Sequence, residues 1–356
     1  MSSDYTIMDY DDTKWQEVCQ LFKDVFGKEL DKDYFLWKNY RNPIGSSVMK
    51  IAVQNEKAVG FNAHWKMRMN FMDDVIYAGQ SIDAMVHKEH RRKGIFESMV
   101  LDTLEVLKEE GFQLRFNFPN EAAYQASLRR INIRKVCNVP QYIKILKGKE
   151  TLRMFTSNSI VRGLGGLMLD LWVSINGIKP RVKYNYNIVE IDHFDDMFDS
   201  LWERVKDDYP IAVERSSKYL NWRYGFRNNG YKTYAAYKDD ELVGYMVTAL
   251  EQKKDKPGLI LGHIADLICV REHKDAVLYL INEAERQMKH AGACAVSCWM
   301  IKEWFYAKEL ERAGFIQMRA PAVLTVLPLG EKAKAAGEAL YDHKNWYITI
   351  GDSDYI

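Results

Sequence analysis

Residues 80–111 carry the pattern of a strand, a basic loop and a helix in direct succession. Polar and apolar side chains alternate as far as Val86, which predicts a strand with one buried face. The loop that follows has three consecutive cations before a glycine: Arg91, Arg92, Lys93 and Gly94. Apolar residues then recur at spacings of three and four until Gly111, which predicts an amphipathic helix that ends there. Backbone N–H groups and the positive end of the helix dipole meet at the loop, so this arrangement suits a phosphate group.

The second half of the chain repeats the outline of the first at a nearly constant offset. Three motifs recur in the same order: Tyr34-x-x-Trp37-Lys38 as Tyr219-x-x-Trp222-Arg223, Val59-Gly60-Phe61 as Val243-Gly244-Tyr245, and Ile82-Asp83-Ala84 as Ala265-Asp266-Leu267. The offsets are 185, 184 and 183 residues. This agreement predicts a tandem duplication of one α/β domain. We expect each copy to be of mixed α+β type, with a mixed, mostly antiparallel sheet flanked by helices.

These patterns divide the chain into three parts. We predict a first domain over 1–150 that carries the basic loop, a linker with an apolar helix over 151–186, and a second, degenerate domain over 187–356. In the linker, Arg162, Asp170 and several glycines interrupt the apolar run, which favours a packed helix over a membrane-associated segment. The last stretch, 345–354, predicts a strand that leads into an acidic turn.

The two copies differ in the residues that follow the central strand. The second copy reads Arg271-Glu-His-Lys-Asp275 and has no glycine there. A β-carbon at this point would crowd a closely approaching phosphate, and the carboxylates of Glu272 and Asp275 would repel it. We therefore expect phosphate binding in the first copy only, and we expect the second copy to shape the site of a second ligand.

Composition and cysteine usage exclude several classes of partner. The 50 basic residues are balanced by 49 acidic ones, so no global field favours nucleic acid or an anionic membrane surface. The N-terminus is polar and acidic, unlike a secretory signal. The five cysteines are scattered, which indicates reduced thiols and a cytoplasmic location. Cys294 and Cys298 lack a second ligand pair, so we expect them to pack in a strand and expect no metal site.

The motif Val86-x4-Arg91-x-x-Gly94-Ile95 resembles the acyl-CoA-binding motif of the GNAT N-acyltransferase superfamily. Phe96 departs from that motif, because the family has glycine or alanine at this position. The resemblance implies two tandem GNAT-like domains, an acyl-CoA co-substrate (acetyl-CoA or a longer acyl-CoA), and a central strand that splays from its neighbour to admit the pantetheine arm. It also implies the coenzyme-binding residues, which are Ala84, Met85, Val86, Arg91, Arg92, Lys93, Gly94, Ile95, Phe96 and Asn120. Of these, Ala84 or Met85 would offer the backbone N–H that holds the thioester oxygen.

Amine acylation requires a group that accepts a proton from the amine, directly or through water. His64, Asp83 and His87 lie on or beside the strands that would border the cleft, and the pattern slightly favours Asp83. The leaving thiolate requires a proton as well. Many GNAT members use a tyrosine for this purpose, but Ser127 stands at that position here. Tyr124, one helical turn earlier, could replace it.

The nature of the acceptor amine is the least specific inference. The duplicated architecture and the acidic last stretch resemble tandem-GNAT sugar N-acyltransferases, which implies a nucleotide-linked amino sugar from surface-glycan biosynthesis as the acceptor. Two alternatives stay open: a GNAT enzyme that acts on another amine (an aminoglycoside, a polyamine or an aminoacyl group), and a non-catalytic acyl-CoA-binding module. Because an internal duplication often replaces a dimer, we expect a monomer.

Overall fold

A computed structural model describes residues 5–119, 124–125, 131–153, 161–176, 186–226, 230–253, 256–319 and 322–355. Its strands are β1 (Thr6–Asp9), β2 (Val48–Gln54), β3 (Lys57–Phe71), β4 (Asp74–Val86), β5 (Leu114–Asn117), β6 (Arg134–Asn138), β7 (Gln141–Ile145), β8 (Asn187–Ile191), β9 (Ile211–Val213), β10 (Lys232–Lys238), β11 (Glu241–Gln252), β12 (Ile260–Cys269), β13 (Ala295–Trp299), β14 (Ile316–Met318) and β15 (Val323–Pro328). Its α-helices are α1 (Trp15–Phe26), α2 (Lys32–Tyr40), α3 (Ile95–Glu109), α4 (Gly148–Leu152), α5 (Gly166–Asn176), α6 (Asp196–Val205), α7 (Ser217–Tyr224), α8 (Ala276–His290), α9 (Phe305–Arg312) and α10 (Glu331–Ala335).

The chain forms two compact units that do not follow a single cut in the sequence. Unit 1 comprises Met1–Cys137 and Ala322–Asn345, and unit 2 comprises Asn138–Pro321 and Trp346–Ile356. Unit 1 therefore takes β15 from the last part of the chain, and unit 2 takes β7 from the first half. The division into domains at 150 and 186 stays a prediction, and the contacts within the described structure divide the chain at these other points.

Unit 1 is built on a sheet in the order β1-β2-β3-β4-β5-β15-β6. Its central pair, β4 and β5, is parallel, whereas β1–β2, β2–β3, β3–β4 and β5–β15 are antiparallel. α3 packs on one face of this sheet, and its buried side chains fall at helical spacing: Ile95, Met99, Val100, Thr103, Leu104 and Leu107. The amphipathic pattern that predicted this helix therefore corresponds to the face that packs on β2, β3 and β4.

Unit 2 repeats this plan with a sheet in the order β14-β7-β13-β12-β11-β10-β8. β12 and β13 are its parallel pair, and α8 follows β12 as α3 follows β4. α8 buries an apolar stripe that includes Val277, Ile281 and Ala284. In the part of the chain that the structure describes, each unit is thus a mixed, mostly antiparallel sheet flanked by helices.

One stretch differs from its sequence pattern, and the predicted linker helix is present. The stretch 345–354 does not form the predicted strand, because its only ladder contact is an isolated bridge between Trp346 and Ile211, and a 3₁₀ turn follows over Ile350–Asp352. The linker helix is α5, which ends at Asn176. Among the described helices, none is both long enough and apolar enough to cross a membrane.

Candidate active site

The central strands of unit 1 part from each other halfway along β4. Ala78–Gln80 pair with Leu114–Phe116, and β4 then continues to Val86 without a described partner on that side. The end of β4 stays accessible, since Ala84 is exposed and Val86 is partly exposed. The two strands therefore enclose an opening that widens toward the basic loop.

A β-bulge lies on β4 inside this opening. Ile82 pairs with Ala63 and Met85 pairs with Phe61, so Asp83 and Ala84 together face one residue of β3. Asp83 has a φ of +47°, which a non-glycine residue adopts only at a cost in energy. A bulge of this kind turns backbone groups out of the ladder and toward a ligand. It falls at the position where the sequence predicted an N–H group for a thioester oxygen.

The loop after β4 ends at a helix start that no side chain caps. Gly94 precedes α3 with a φ of +82°, and Arg92 has a φ of +64°. No side chain hydrogen-bonds the first backbone N–H groups of α3 from the N-cap position. Arg91 donates from Nε to the Val86 carbonyl at 3.2 Å, and the three cations of the loop are exposed. The loop therefore places exposed cations directly before the free backbone N–H groups of a helix start, an arrangement that suits an anionic group.

His87 contributes an unsatisfied polar atom to the same loop. Its Nδ1 is enclosed and has no hydrogen-bond partner among the described residues. A buried ring nitrogen without a partner costs free energy, which a ligand can recover. Together with the uncapped start of α3, this atom shows that the loop fits a diphosphate of the kind that coenzyme A carries.

The candidate catalytic residues lie in different surroundings. Asp83 forms an ion pair with Lys38 of α2, at 2.8 Å between Oδ1 and Nζ. His64 is fully buried in β3, where its Nε2 accepts a hydrogen bond from Arg115 Nε at 3.1 Å. Burial and the nearby Arg115 guanidinium hold the pKa of His64 well below its usual range. His64 is therefore neutral, and its basic nitrogen is already engaged.

Tyr124 and Asn120 are the two remaining candidate residues. Tyr124 is partly buried and packs against an apolar cluster that includes Val100 and Leu104. Asn120 lies outside the described residues. The sequence patterns missed Lys38 and Arg115. Lys38 is part of the repeated Trp-Lys/Arg motif, and Arg115 is the one charged residue of the predicted strand 112–118.

The corresponding place in unit 2 is filled by protein. Residues 261–269 of β12 are all buried, and the Tyr347 hydroxyl donates to the Leu267 carbonyl. Tyr306 Oη accepts from the Cys269 N–H at 2.8 Å and donates to the Cys269 carbonyl at 3.1 Å. The residue before α8 is Asp275, with a φ of −66° in place of the glycine conformation. Of the two described strand ends, the one in unit 1 is open and lies beside an uncapped helix.

Comparison with known proteins gives a family match for the part of the chain that contains this opening. Residues 6–128 match the family model described as an acetyltransferase (GNAT) domain. This segment is therefore similar to a GNAT acetyltransferase domain. The match covers the opening between β4 and β5 and the loop before α3, so the matched segment contains every described part of the candidate site. A search of curated protein sequences gave no match.

Solved structures extend the GNAT likeness to the rest of the chain. A GCN5-related N-acetyltransferase from Anabaena variabilis superposes with a TM-score of 0.63 at 11% identity, covering 92% of this chain and 73% of that one. A probable N-acyltransferase from Enterococcus faecalis gives 0.61 at 9%, covering 91% and 72%. Saccharomyces cerevisiae N-myristoyltransferase with bound myristoyl-CoA gives 0.62 at 11%, covering 92% and 79%. These matches confirm the predicted fold class of two GNAT-like α/β domains.

Proposed function

We propose that this chain is an N-acyltransferase that moves an acyl group from acyl-CoA to the amine of a small acceptor. The observation that carries the proposal is the opening between β4 and β5, which leads from an exposed strand end to the uncapped start of α3. An extended arm with a diphosphate at one end matches that shape. The bound myristoyl-CoA in the yeast N-myristoyltransferase, which shares the fold, is consistent with the same class of co-substrate.

Coenzyme binding would use backbone groups more than side chains. The N–H groups of the first turn of α3, from Ile95 and Phe96 onward, would hold the diphosphate, with Gly94 leaving room for its approach. Arg91, Arg92 and Lys93 would add charge. Backbone groups of Ala84, Met85 and Val86 would pair with the pantetheine arm, and Asn120 is proposed as a further contact.

Acyl transfer would take place at the bulge. The amine nitrogen attacks the thioester carbonyl carbon, a C–N bond forms, and the C–S bond breaks. We assign Asp83 as the group that accepts the amine proton, because His64 is enclosed and its Nε2 is occupied. A backbone N–H at the bulge would stabilise the oxyanion. Tyr124 stays the proposed proton donor to the departing thiolate.

The acceptor that we propose to test first is a nucleotide-linked amino sugar. The reason for this choice is the sequence resemblance to tandem-GNAT sugar N-acyltransferases. Aminoglycosides, polyamines and aminoacyl amines form the comparison set, because the balanced charge of the chain does not favour a polycation.

Two measurements test the proposal. Calorimetry with CoA is expected to give one site per chain, since β12 in unit 2 is covered. Thiol release from acetyl-CoA and longer acyl-CoAs is then followed with each acceptor. Release above background with an amino-sugar nucleotide supports the full proposal, and release with another amine supports acyl transfer but removes the sugar. Binding without release from any pair would indicate a non-catalytic module, and the absence of CoA binding would refute the proposal.

A further inference from the structure

Arg115 is a buried guanidinium with no anionic partner among the described residues. Its side chain is on β5, and the residue is 2% exposed. Among the described residues, the side chain of Arg115 makes one hydrogen bond, which Nε donates to Nε2 of His64. Burial lowers the pKa of Arg115 to about 10, so the group is still cationic at neutral pH. A buried cation without a counter-charge costs several kcal/mol, which makes such a group rare unless a ligand completes it.

The buried arginines Arg215 and Arg223 show how partners within the protein satisfy a buried guanidinium group. Arg215 donates to the carboxylate of Asp352 at 2.8 Å and lies 3.4 Å from that of Asp266. Arg223 donates to the carbonyls of Gly351 and Ser353 and to a tyrosine hydroxyl, at 2.8 to 3.0 Å. Both use their terminal nitrogens. Arg115 uses only Nε toward the described residues, so its two terminal nitrogens, which carry most of the donors of a guanidinium, have no partner there.

The surroundings of Arg115 are polar but uncharged. His64 is neutral, and next to it Asn62 contacts Thr103 of α3 at 3.4 Å and accepts from Ser81 at 3.3 Å. No ion pair of Arg115 is found in the described part of unit 1. The two terminal nitrogens are not among the fully enclosed, unsatisfied side-chain atoms of the described residues, so each keeps a small accessible surface.

The position of Arg115 relates this cation to the opening in the sheet. Arg115 pairs with Gly79, and one further pair, Gln80 with Phe116, follows before β4 and β5 part. A β-carbon on Gly79 would meet Leu107 of α3, so the paired Arg115 lies on the α3 face as well. The guanidinium thus lies at the closed end of the opening, opposite to the basic loop.

We propose that Arg115 binds a carboxylate carried by one of the two substrates at the closed end of the opening. This inference rests on the proposed function, because it assigns the substrate chemistry of the same site. A planar guanidinium with two available terminal nitrogens matches a carboxylate in a bidentate pair. The carboxylate belongs either to the far end of the acyl chain, as in a dicarboxylic acyl-CoA, or to the acceptor.

Matched ligand pairs distinguish these two sources. For the acyl chain, succinyl-CoA is compared with butyryl-CoA, which has the same chain length without the carboxylate, and affinity is measured by calorimetry in the absence of acceptor. For the acceptor, thiol release from acetyl-CoA is measured with amino acids and with their primary amides. In one of the two arms, the native chain is expected to favour the carboxylate roughly 10- to 100-fold.

Arg115→Met is expected to remove that preference and to leave the affinity for unacylated CoA unchanged. The variant should fold, because an apolar side chain replaces a buried cation. Arg115→Lys keeps the charge without the planar fork and is expected to retain only part of the preference. Arg134→Met, which removes an exposed arginine of β6 in the same unit, is the control and should behave as the native chain.

The outcomes separate this inference from the proposed function. Equal affinity for the two acyl-CoAs, together with equal rates for acids and amides, would overturn the carboxylate site alone. A preference that persists in Arg115→Met would overturn it as well. If neither acyl-CoA binds the native chain, the proposed function itself fails.

Discussion

Arg215 Nη2 lies 2.8 Å from Asp352 Oδ2, and both side chains are only 1% exposed. Asp352 belongs to the 3₁₀ turn near the end of the chain, and Arg215 precedes α7. Asp266 of β12 and Thr349 complete the cluster around the guanidinium. The pair therefore holds the last residues against β12, at the position where unit 1 is open. Burial of a paired charge contributes little net stability, but removal of one partner is costly.

Gly351 is the tightest point of this contact. A β-carbon there would overlap the Tyr224 hydroxyl and lie 2.9 Å from the Ala265 carbonyl oxygen. We expect Gly351→Ala to lower the free energy of unfolding by about 1–3 kcal/mol. The effect is measured by urea denaturation, and CoA affinity should not change.

A double variant tests the geometry behind this prediction. Gly351→Ala with Tyr224→Phe removes the hydroxyl overlap but keeps the backbone contact, so it should recover part of the loss. Gly337→Ala is a control for backbone strain, because Gly337 has a φ of +54° and open space within 4 Å of the position that an alanine methyl group would take. A fully stable Gly351→Ala would show that the segment is not packed as described.

Gly94→Ala tests the helix start as a coenzyme site. The φ of +82° imposes a strain of about 1–2 kcal/mol on alanine, and the methyl group also meets any diphosphate at this point. We expect CoA affinity to fall more than tenfold. Gly111→Ala is the matched control, since Gly111 follows the same helix with a φ of +81° and open space around it. An equal loss of CoA affinity in both variants would indicate that backbone strain, and not contact with the ligand, lowers the affinity. Unchanged affinity in Gly94→Ala would contradict a coenzyme site at this helix start.

The Lys38–Asp83 ion pair predicts an asymmetry between its two members. Lys38 is 3% exposed, whereas Asp83 is partly accessible to water. Asp83→Asn leaves the ammonium buried without its carboxylate and should destabilise the fold by about 1–3 kcal/mol. Lys38→Met should lower the free energy of unfolding by less, because Lys38 lies over the rings of Tyr34 and Trp65, which suit an apolar side chain.

Turnover gives a second readout on the same residue. If Asp83 accepts the amine proton, Asp83→Asn should reduce kcat roughly 100-fold or more without a change in CoA affinity. The calorimetric binding stoichiometry, which falls with the fraction of folded protein, separates this effect from a loss of folded protein. Unchanged kcat would assign proton acceptance to another group or to water.

His64 predicts an acid-sensitive contribution to stability. Its folded pKa is depressed, so between that value and the ordinary pKa of about 6.5 the unfolded chain binds a proton that the folded chain does not. Stability is therefore retained above pH 6.5 and falls as the pH decreases, by up to about 1.4 kcal/mol per pH unit. Urea denaturation from pH 7 to pH 5 should show a shallower decline for His64→Gln. Parallel curves would contradict a neutral, buried His64.

Periodic sequence patterns predicted the local elements of the site. The alternation up to Val86 gave the end of β4, although that strand begins at Asp74 and not at Gln80, and the stripe behind Gly94 gave α3 within about two residues of its observed bounds. The parting of β4 from β5, inferred from the family resemblance, is also present. The strand and the helix depend on side chains near each other in sequence, so a linear pattern contains them.

Long-range pairing was not predictable in the same way. Arg115 and His64 are 51 residues apart, and neither residue type indicates which strand its side chain meets. The stretch 345–354 has the composition of a strand, yet Thr349 and Asp352 satisfy its backbone through a capping box and a 3₁₀ turn. Side-chain hydrogen bonds compete with ladder pairing there, and only the folded chain decides between them.

The placement of β15 between β5 and β6 determines which fragments of the chain can keep an intact sheet when they are produced alone. A fragment that stops near residue 150 would lack this strand, and β5 and β6 would expose two unpaired edges that invite aggregation. Unit 1 alone is better obtained by joining Ala322–Asn345 to Cys137 through a short linker, in keeping with its packing. A fragment library cut at successive positions along the gene would miss this arrangement altogether.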